Sequence, residues 1–253
     1  MSPEGLSDEQ LIRFSRQILL PELDIQGQER LLASKVLLIG VGGLGSPLAL
    51  YLAAAGVGEL HLADPDQVEL SNLQRQIVHQ QASIGQLKVD SAALQLKQLN
   101  DQVRLVTYPE KLLGESLQAA VEQVDLVCDA SDRFSTRFAV NRACWQAGKP
   151  LVSGAAIRFS GQLAVFDPRQ ARSPCYACIY DEQADDEELS CSESGVLAPL
   201  VGVIGSLQAV EALKLLSGCG EPALGKLLTY DALRAEMRTL GVSADPECSC
   251  CGS

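Results

Sequence analysis

The stretch Lys35–Gly56, KVLLIGVGGLGSPLALYLAAAG, decides the fold. It joins a short apolar run, a glycine cluster and a second apolar segment. Lys35–Ile39 predicts a buried strand, and Ser46–Ala55 predicts a helix with Pro47 in its first turn, where a missing N–H has little cost. Glycines at such a junction permit a tight turn, and a helix N-terminus favours a bound phosphate. The stretch therefore predicts a strand, a phosphate-binding turn and a helix.

Predicted strands and helices alternate along the rest of this half of the chain. Apolar runs predict strands at 59–63, 103–108, 124–128 and 150–153, and amphipathic segments predict helices at 6–20, 85–99, 117–123 and 134–147. This alternation predicts an α/β fold: a Rossmann-like, mainly parallel sheet with helices on both faces. After residue 157, a turn at Arg158–Gly161 and strands at 162–166 and 227–230 predict that antiparallel strands extend the sheet in the C-terminal half.

The composition narrows the class of protein. The 253 residues are 47% hydrophobic and carry a formal net charge of −12, with a pI near 4.6, which argues against nucleic acid as a partner. The first ten residues are polar and acidic, so we expect no secretory leader and a cytoplasmic protein. The apolar segment 196–218 contains Gln208, Glu211 and Lys214 at helical spacing, which predicts a partly buried helix and no membrane span.

The glycine cluster Gly40–Gly45 matches the pattern GxGxxG between a predicted strand and a predicted helix. Asp64 ends the next strand, where a carboxylate could accept hydrogen bonds from ribose hydroxyls. On these features alone, a nicotinamide or flavin oxidoreductase is favoured. A glycine-rich turn without a ligand and other adenosine-bearing ligands stay open as alternatives.

Two cations and a carboxylate favour a triphosphate over a redox cofactor. Arg75 and Lys88 follow Asp64, and such cations can stabilise charge that develops on a transferring phosphorus. Asp132 follows another predicted strand, and a carboxylate is a ligand that magnesium prefers. Each of these residues alone could be a solvated surface charge. The sequence contains no GxxxxGK[ST] motif, so a P-loop is excluded.

Four of the nine cysteines form two CxxC pairs, Cys175/Cys178 and Cys248/Cys251. Four thiolates at this spacing can bind zinc in a closed tetrahedral site, which predicts a structural zinc that fixes the C-terminal tail. A redox-active CxxC is the alternative. Cys250 lies inside the second pair and makes the ligand pattern less simple, and we interpret it as a spare thiol.

From about Leu6 to its C-terminus, the chain resembles the MoeB/ThiF/HesA family, bacterial relatives of ubiquitin-activating enzymes. An ordered set of motifs carries the resemblance, which is strongest to the MoeB branch in SGAAIR and APLVGVIGSLQA. The motifs are SRQILL (15–20), GVGGLG (40–45), LADPD (62–66), SNLQRQ (71–76), GQLKV (85–89), DASD (129–132), SGAAIRFSGQ (153–162), CYAC (175–178) and GVLAPLVGVIGSLQA (195–209).

The resemblance implies an adenylyltransferase that uses ATP to activate the C-terminal glycine of a small ubiquitin-like sulfur-carrier protein ending in Gly-Gly. For the MoeB branch that carrier is the small subunit of molybdopterin synthase, in molybdenum cofactor biosynthesis. ThiF-type activation of the thiamine-pathway carrier is the alternative, and a NAD-dependent oxidoreductase or an inactive docking module are remote ones. The resemblance also implies a homodimer. Because no sulfurtransferase-like segment follows the final CxxC, we expect a separate sulfur donor protein.

Site residues follow from the resemblance by matching position. It implies that Asp132 holds magnesium and is essential for adenylation, and that Arg16 reaches the nucleotide of the neighbouring subunit. Relatives usually have Asn where this chain has Arg133, so the contribution of that Asn is in doubt. The residues implied to contact ATP are Gly42, Gly43, Asp64, Asn72, Arg75, Lys88 and Asp132.

Cys191 lies in the acidic segment DEQADDEELSCSESG (181–195), which predicts a mobile loop. It matches the cysteine to which some relatives transfer the activated carrier, whereas MoeB-type relatives are not thought to need theirs. The surrounding carboxylates should raise the pKa of the thiol and weaken it as a nucleophile. A covalent role for Cys191 is therefore open. The resemblance also implies one adenylation domain over 1–253, with a nucleotide-binding half at about 30–155 and a carrier-binding and zinc-binding half at about 156–253.

Overall fold

A computed structural model describes residues 5–171, 173–182 and 194–252. Its centre is an eight-stranded sheet in the order β3-β2-β1-β4-β5-β6-β7-β8. The strands β1 to β5 pair in parallel, and β5 to β8 pair antiparallel. The predicted Rossmann-like sheet with an antiparallel extension is therefore confirmed. The strands are β1 Lys35–Ile39, β2 Glu59–Ala63, β3 Arg104–Tyr108, β4 Leu126–Asp129, β5 Leu151–Ile157, β6 Ser160–Phe166, β7 Lys226–Asp231 and β8 Glu236–Gly241.

Helices cover both faces of the parallel part. Short 3-10 turns lie at Leu70–Asn72, Gln81–Ser83 and Tyr176–Cys178. The α-helices are α1 Asp8–Arg13, α2 Ser15–Ile18, α3 Asp24–Ala33, α4 Gly45–Ala54, α5 Lys88–Leu99, α6 Gly114–Glu122, α7 Phe134–Ala147 and α8 Ala198–Ser217.

Alternate side chains of the strands pack into two hydrophobic layers, one on each face of the sheet. From β1, Val36 and Leu38 pack into the layer of α4, α5 and α8, whereas Leu37 and Ile39 pack into the layer of α6 and α7. Helix α8 is long and apolar enough to cross a bilayer by length and composition. It lies instead against the sheet, with Gln208 fully buried and donating to the backbone oxygens of Asp129 and Val152. That is the position of a core helix, as the polar residues within it predicted.

The parallel topology sets the position of the site. In the sheet, Ile39 lies beside both Ala63 and Asp129, so the carboxyl ends of β1, β2 and β4 lie next to one another. The connections from β1 and β4 run in opposite directions along the sheet, and ligands of open α/β sheets bind at such a switch point.

Three elements differ from the sequence-based prediction. The single helix predicted at 6–20 is two helices, because Phe14 between them turns its ring into the interior beside Gly56. Helix α3 was not predicted, since its sequence DIQGQERLLA is polar and contains a glycine. Strand β8 was not predicted either: every residue in it is exposed, so no buried face marks it. Most of the predicted mobile loop at 181–195 lies outside the described residues.

Candidate functional site: a glycine-lined cavity and a four-cysteine cluster

A cavity of about 330 Å³ opens at the switch point. The glycine-rich turn after β1 forms its floor, and residues after β2 and β4 form its walls. Six of the seven predicted ATP-contacting residues line it: Gly42, Gly43, Asp64, Arg75, Lys88 and Asp132. Residues separated by most of the N-terminal half thus meet in one concave site of the kind that binds small molecules.

The glycines of the turn are required by the backbone itself. Gly40 has φ of +91°, and a Cβ atom there would lie 2.9 Å from the backbone oxygen of Ala130. A Cβ atom on Gly45 would lie 2.1 Å from the oxygen of Gly40, a distance that a side chain cannot adopt. Gly40 therefore fixes the approach of the turn to β4, and Gly45 allows α4 to start directly beside the turn.

The backbone N–H and the backbone oxygen of Val41 each form a hydrogen bond with a buried side chain. The Val41 N–H donates to Asp64 Oδ2 at 2.8 Å, and the Val41 oxygen accepts from His79 Nε2 at 3.0 Å. The other nitrogen of His79 lies 3.0 Å from Ser91 Oγ. Because Nε2 faces a carbonyl oxygen, it carries a proton. Burial lowers the pKa of His79, which favours the neutral ring with Nδ1 as an acceptor. Two side chains from different elements therefore fix the conformation of the glycine-rich turn.

The charges of Asp64 and Lys88 are largely removed from water. Lys88 is 6% exposed, and its Nζ lies 2.8 Å from Asp66 Oδ2 and 3.9 Å from Asp64 Oδ1. Burial raises the pKa of the Asp64 carboxyl, whereas the nearby Lys88 ammonium and the backbone N–H groups of Val41 and Asp66 lower it. Lys88 begins α5 and projects into the cavity, where an anion could replace Asp66 as its partner.

The remaining charged groups lie around the cavity mouth. Arg75 donates through Nη1 to the oxygen of Ser71 at 3.2 Å, and within the described ranges its other N–H groups are available to a ligand. Asp132 is exposed and precedes Arg133, the N-terminal cap residue of α7. Lys111 comes from the loop after β3 and lines the same cavity. The site therefore combines several cations with an accessible carboxylate, a combination suited to a nucleoside triphosphate with a divalent cation.

Three predicted site residues lie elsewhere. Asn72 is 9% exposed, and its Oδ1 accepts from the backbone N–H of Glu69 at 3.1 Å, so it holds its own turn and does not line the cavity. Arg16 is exposed on α2 and does not line the cavity of its own chain. Cys191 lies outside the described residues.

The structure brings the two CxxC pairs together. Cys175, Cys178, Cys248 and Cys251 place their sulfur atoms within 4.8 Å of one another. The Sγ atoms of Cys175 and Cys248 are 3.6 Å apart, and those of Cys178 and Cys251 are 3.3 Å apart. A tetrahedral zinc with Zn–S bonds of about 2.3 Å requires sulfur separations of about 3.8 Å. The four thiols thus have the geometry of a closed zinc site.

Cys250 lies beside the cluster and also bonds to a residue outside it. Its Sγ accepts a hydrogen bond from Asn141 Nδ2 at 3.2 Å, and Asn141 Oδ1 accepts from the Tyr176 N–H at 2.9 Å. Hydrogen bonds from Cys250 and Asn141 lower the pKa of the Cys175 thiol, against the effect of burial. Cys250 is not one of the four grouped thiols, and its interpretation as a spare thiol stays a prediction.

Sequence reasoning missed several residues of the first site. His79 gave no signal, because a lone histidine outside a motif does not indicate what it contacts. Asp66 lay within the LADPD motif without an assigned role, and Gln76 within SNLQRQ. Gln76 is 4% exposed, lines the cavity beside Gly42, and its Oε1 has no hydrogen-bond partner among the described residues.

Comparisons with known proteins agree with this architecture. The model of the ThiF family matches residues 14–250. The chain is 46% identical over 247 residues to a protein of Escherichia coli strain K12 named molybdopterin-synthase adenylyltransferase, and the match covers 98% of each protein. It is also 47% identical over 250 residues to the Sus scrofa protein named adenylyltransferase and sulfurtransferase MOCS3, where the match covers 98% of this chain and 54% of that protein.

The chain spans about half the length of the MOCS3 relatives that it matches. Among solved structures, that of E. coli MccB with ATP superposes with a TM-score of 0.82 at 23% identity, covering 95% of this chain and 74% of that one. This likeness shows the shared fold. Together with the match to the family model over nearly the whole chain, it leads to one conclusion: the chain belongs to the ThiF family.

Proposed function

We propose that the chain uses ATP to adenylate the C-terminal glycine of a small ubiquitin-like sulfur-carrier protein, the small subunit of molybdopterin synthase, for sulfur transfer in molybdenum cofactor biosynthesis. The observation that carries the proposal is the cavity, which gathers Arg75, Lys88 and Asp132 around the glycine-rich turn. The name of the E. coli relative at 46% identity supports the choice of carrier. The relatives' names weigh against the NAD-dependent oxidoreductase, and so do Arg75 and Lys88, two cations placed where the phosphates of ATP would lie.

In this reaction a carboxylate oxygen of the carrier attacks the α-phosphorus of ATP. An acyl–oxygen–phosphorus bond forms, the bond to the bridging oxygen breaks, and pyrophosphate leaves with that electron pair. Asp64 binds the ribose, Gly42 and Gly43 face the adenosine side, and Arg75 and Lys88 bind the phosphates. Asn72 would reach the phosphates only by releasing the backbone N–H of Glu69 and turning towards the cavity. No proton has to be moved, so these residues act by orientation and charge stabilisation.

Asp132 is the proposed magnesium ligand. Its carboxylate lines the cavity and is exposed to it, and carboxylate and phosphate oxygens are the donors that this hard cation prefers. When bound, magnesium would neutralise charge on the departing pyrophosphate. The four thiols are the proposed zinc ligands, and a zinc ion there would fix the C-terminal tail without taking part in the chemistry.

The proposal includes a homodimer with a composite site. Arg16 lies outside the cavity of its own chain. Apolar side chains near it in the sequence are exposed, and a partner subunit could bury them: Ile12 is 77% exposed and Leu19 is 70% exposed. In the dimer, Arg16 would reach the nucleotide of the neighbouring subunit. Free thiols suit a reducing compartment, which supports the cytoplasm, and sulfur would come from a separate donor protein.

We also propose that the chain acts as one adenylation domain. Its nucleotide-binding half, about 30–155, contains the parallel strands, and its carrier-binding and zinc-binding half, about 156–253, contains the antiparallel ones. Strand β5 pairs with β4 on one side and β6 on the other, so the sheet continues across the boundary between the halves.

Carrier-dependent exchange of labelled pyrophosphate into ATP tests the proposal. We expect exchange with the molybdopterin-synthase small subunit and an acyl-adenylate detectable by mass spectrometry. Exchange that occurs only with the thiamine-pathway carrier would favour the ThiF-type alternative, and no exchange with any carrier ending in Gly-Gly would refute adenylation. Sulfur transfer by the Cys191→Ser variant decides the role of that thiol, because full transfer excludes a covalent step.

A further inference from the structure

One buried arginine beside the cavity has no role in the proposed chemistry. Arg137 lies on α7 and is 9% exposed. Its Nε and Nη2 atoms donate to the backbone oxygen of Ser131 at 3.3 and 2.8 Å. Ser131 immediately precedes Asp132, the proposed magnesium ligand. A buried guanidinium that binds a single carbonyl in this way fixes the position of that peptide.

A buried carboxylate holds the same residue from the other side. Asp129 ends β4, is fully buried, and accepts from the Ser131 N–H through Oδ1 at 3.0 Å. Its Oδ2 has no hydrogen-bond partner within the described ranges. Burial raises the pKa of Asp129, and the Arg137 guanidinium acts against that rise by stabilising the charged form. Asp129 and Arg137 thus form a buried pair of opposite charges that holds both polar groups of Ser131.

We propose that Arg137 is a positioning residue for Asp132, because it fixes the peptide that leads into Asp132 through the backbone oxygen of Ser131. The inference rests on the proposed function, because it takes Asp132 to be the group that needs positioning. A displacement of a charged group by about 1 Å can cost about a hundredfold in rate, so Arg137 can matter for the reaction without touching the nucleotide itself.

The test compares Arg137→Lys with Arg142→Lys in the full chain. Arg142 lies on the same helix but is exposed and pairs with Glu182 at the surface. We expect Arg137→Lys to weaken magnesium-dependent binding of a fluorescent ATP analogue about tenfold and to lower carrier-dependent exchange at least as much, while KM for the carrier stays unchanged. Arg142→Lys should match the wild type. Zinc content, measured by colorimetric titration, should be the same in all variants.

Equal nucleotide affinity in Arg137→Lys and Arg142→Lys would overturn the positioning role. Absence of exchange in the wild type would refute the proposed function, whereas the nucleotide-binding comparison would still decide the role of Arg137.

Discussion

The glycine-lined cavity and the four-cysteine cluster are stabilised in different ways. Fully buried strands surround the cavity: Leu38, Leu60 and Leu62 have no exposed surface. The segment that leads to Cys248 is the opposite, because every residue of β8 is exposed. At about 25 cal/mol per Å² of buried apolar surface, the first region has ample stabilisation from its core, and the second has little. The cavity should therefore exist without a nucleotide, whereas the tail should depend on the proposed zinc ion.

Substitution Asp132→Asn should separate chemistry from folding most clearly. It removes the charge that would hold magnesium at an exposed position, so we expect carrier-dependent exchange to fall about 10³-fold with an unchanged thermal midpoint. Asp90→Asn, on the exposed surface of α5, is the matched control and should keep full activity. A large loss of stability in Asp132→Asn would mean that this carboxylate supports the fold and would weaken the comparison.

Cys248→Ser should have the largest effect on stability, because it removes one thiolate from the site that fixes a tail with little buried apolar surface of its own. We expect the thermal midpoint to fall by about 10 °C, which corresponds to about 4 kcal/mol for a chain of this size. Limited proteolysis should then cut the chain within or after β8 while the parallel strands stay intact. Cys219→Ser leaves the cluster complete and should behave as the wild type. Proteolysis that starts in the parallel strands would show that the two regions do not differ as described.

Gly45→Ala should damage the cavity region through the backbone. A Cβ atom there would lie 2.1 Å from the Gly40 oxygen, so the turn has to move. We expect a loss of about 3 kcal/mol and weaker nucleotide binding, measured by chemical denaturation and by titration with an ATP analogue. Gly202→Ala is the control: nothing lies within 4 Å of its Cβ position on α8, so helix propensity should make it neutral or slightly stabilising.

The smallest effect concerns pH. Burial lowers the pKa of His79 from its usual value of 6.5, so the unfolded chain takes up a proton at this residue before the folded chain does. Stability should therefore fall as the pH drops through 6.5, until the lower pKa of the folded state is reached. Asp64 and Asp129 have raised pKa values and act in the opposite sense at lower pH. The difference in thermal midpoint between pH 7.5 and pH 5.5 should be smaller in His79→Gln than in the wild type, and an equal difference would contradict the assignment.

Much of the parallel half could be predicted because its signals are local. The bounds of β1, β2 and α7 agree with the predicted 35–39, 59–63 and 134–147, since buried strands and long amphipathic helices carry strong periodicity. Strand β8 could not be predicted, because only its pairing with β7 makes it a strand.

The candidate site divides in the same way. Motif residues such as Asp64 and Lys88 could be placed from sequence, because each follows directly from a strand end or a helix start. His79 and Arg137 could not, because each acts through a backbone oxygen of a residue that is distant or unremarkable in sequence, Val41 and Ser131. Contacts of a side chain with a backbone oxygen leave no mark on the identity of the residue contacted.

The bonds at Val41 have a consequence for dynamics. Glycine-rich segments are usually the mobile parts of a chain, yet here the Val41 amide is buried and bonded to a buried carboxylate. Its hydrogen should exchange with solvent only when a large part of the sheet opens, as slowly as the amides of β1. The turn is then rigid before any nucleotide binds. Its conformational entropy is already lost during folding, so little of the binding free energy of a nucleotide is needed to order it.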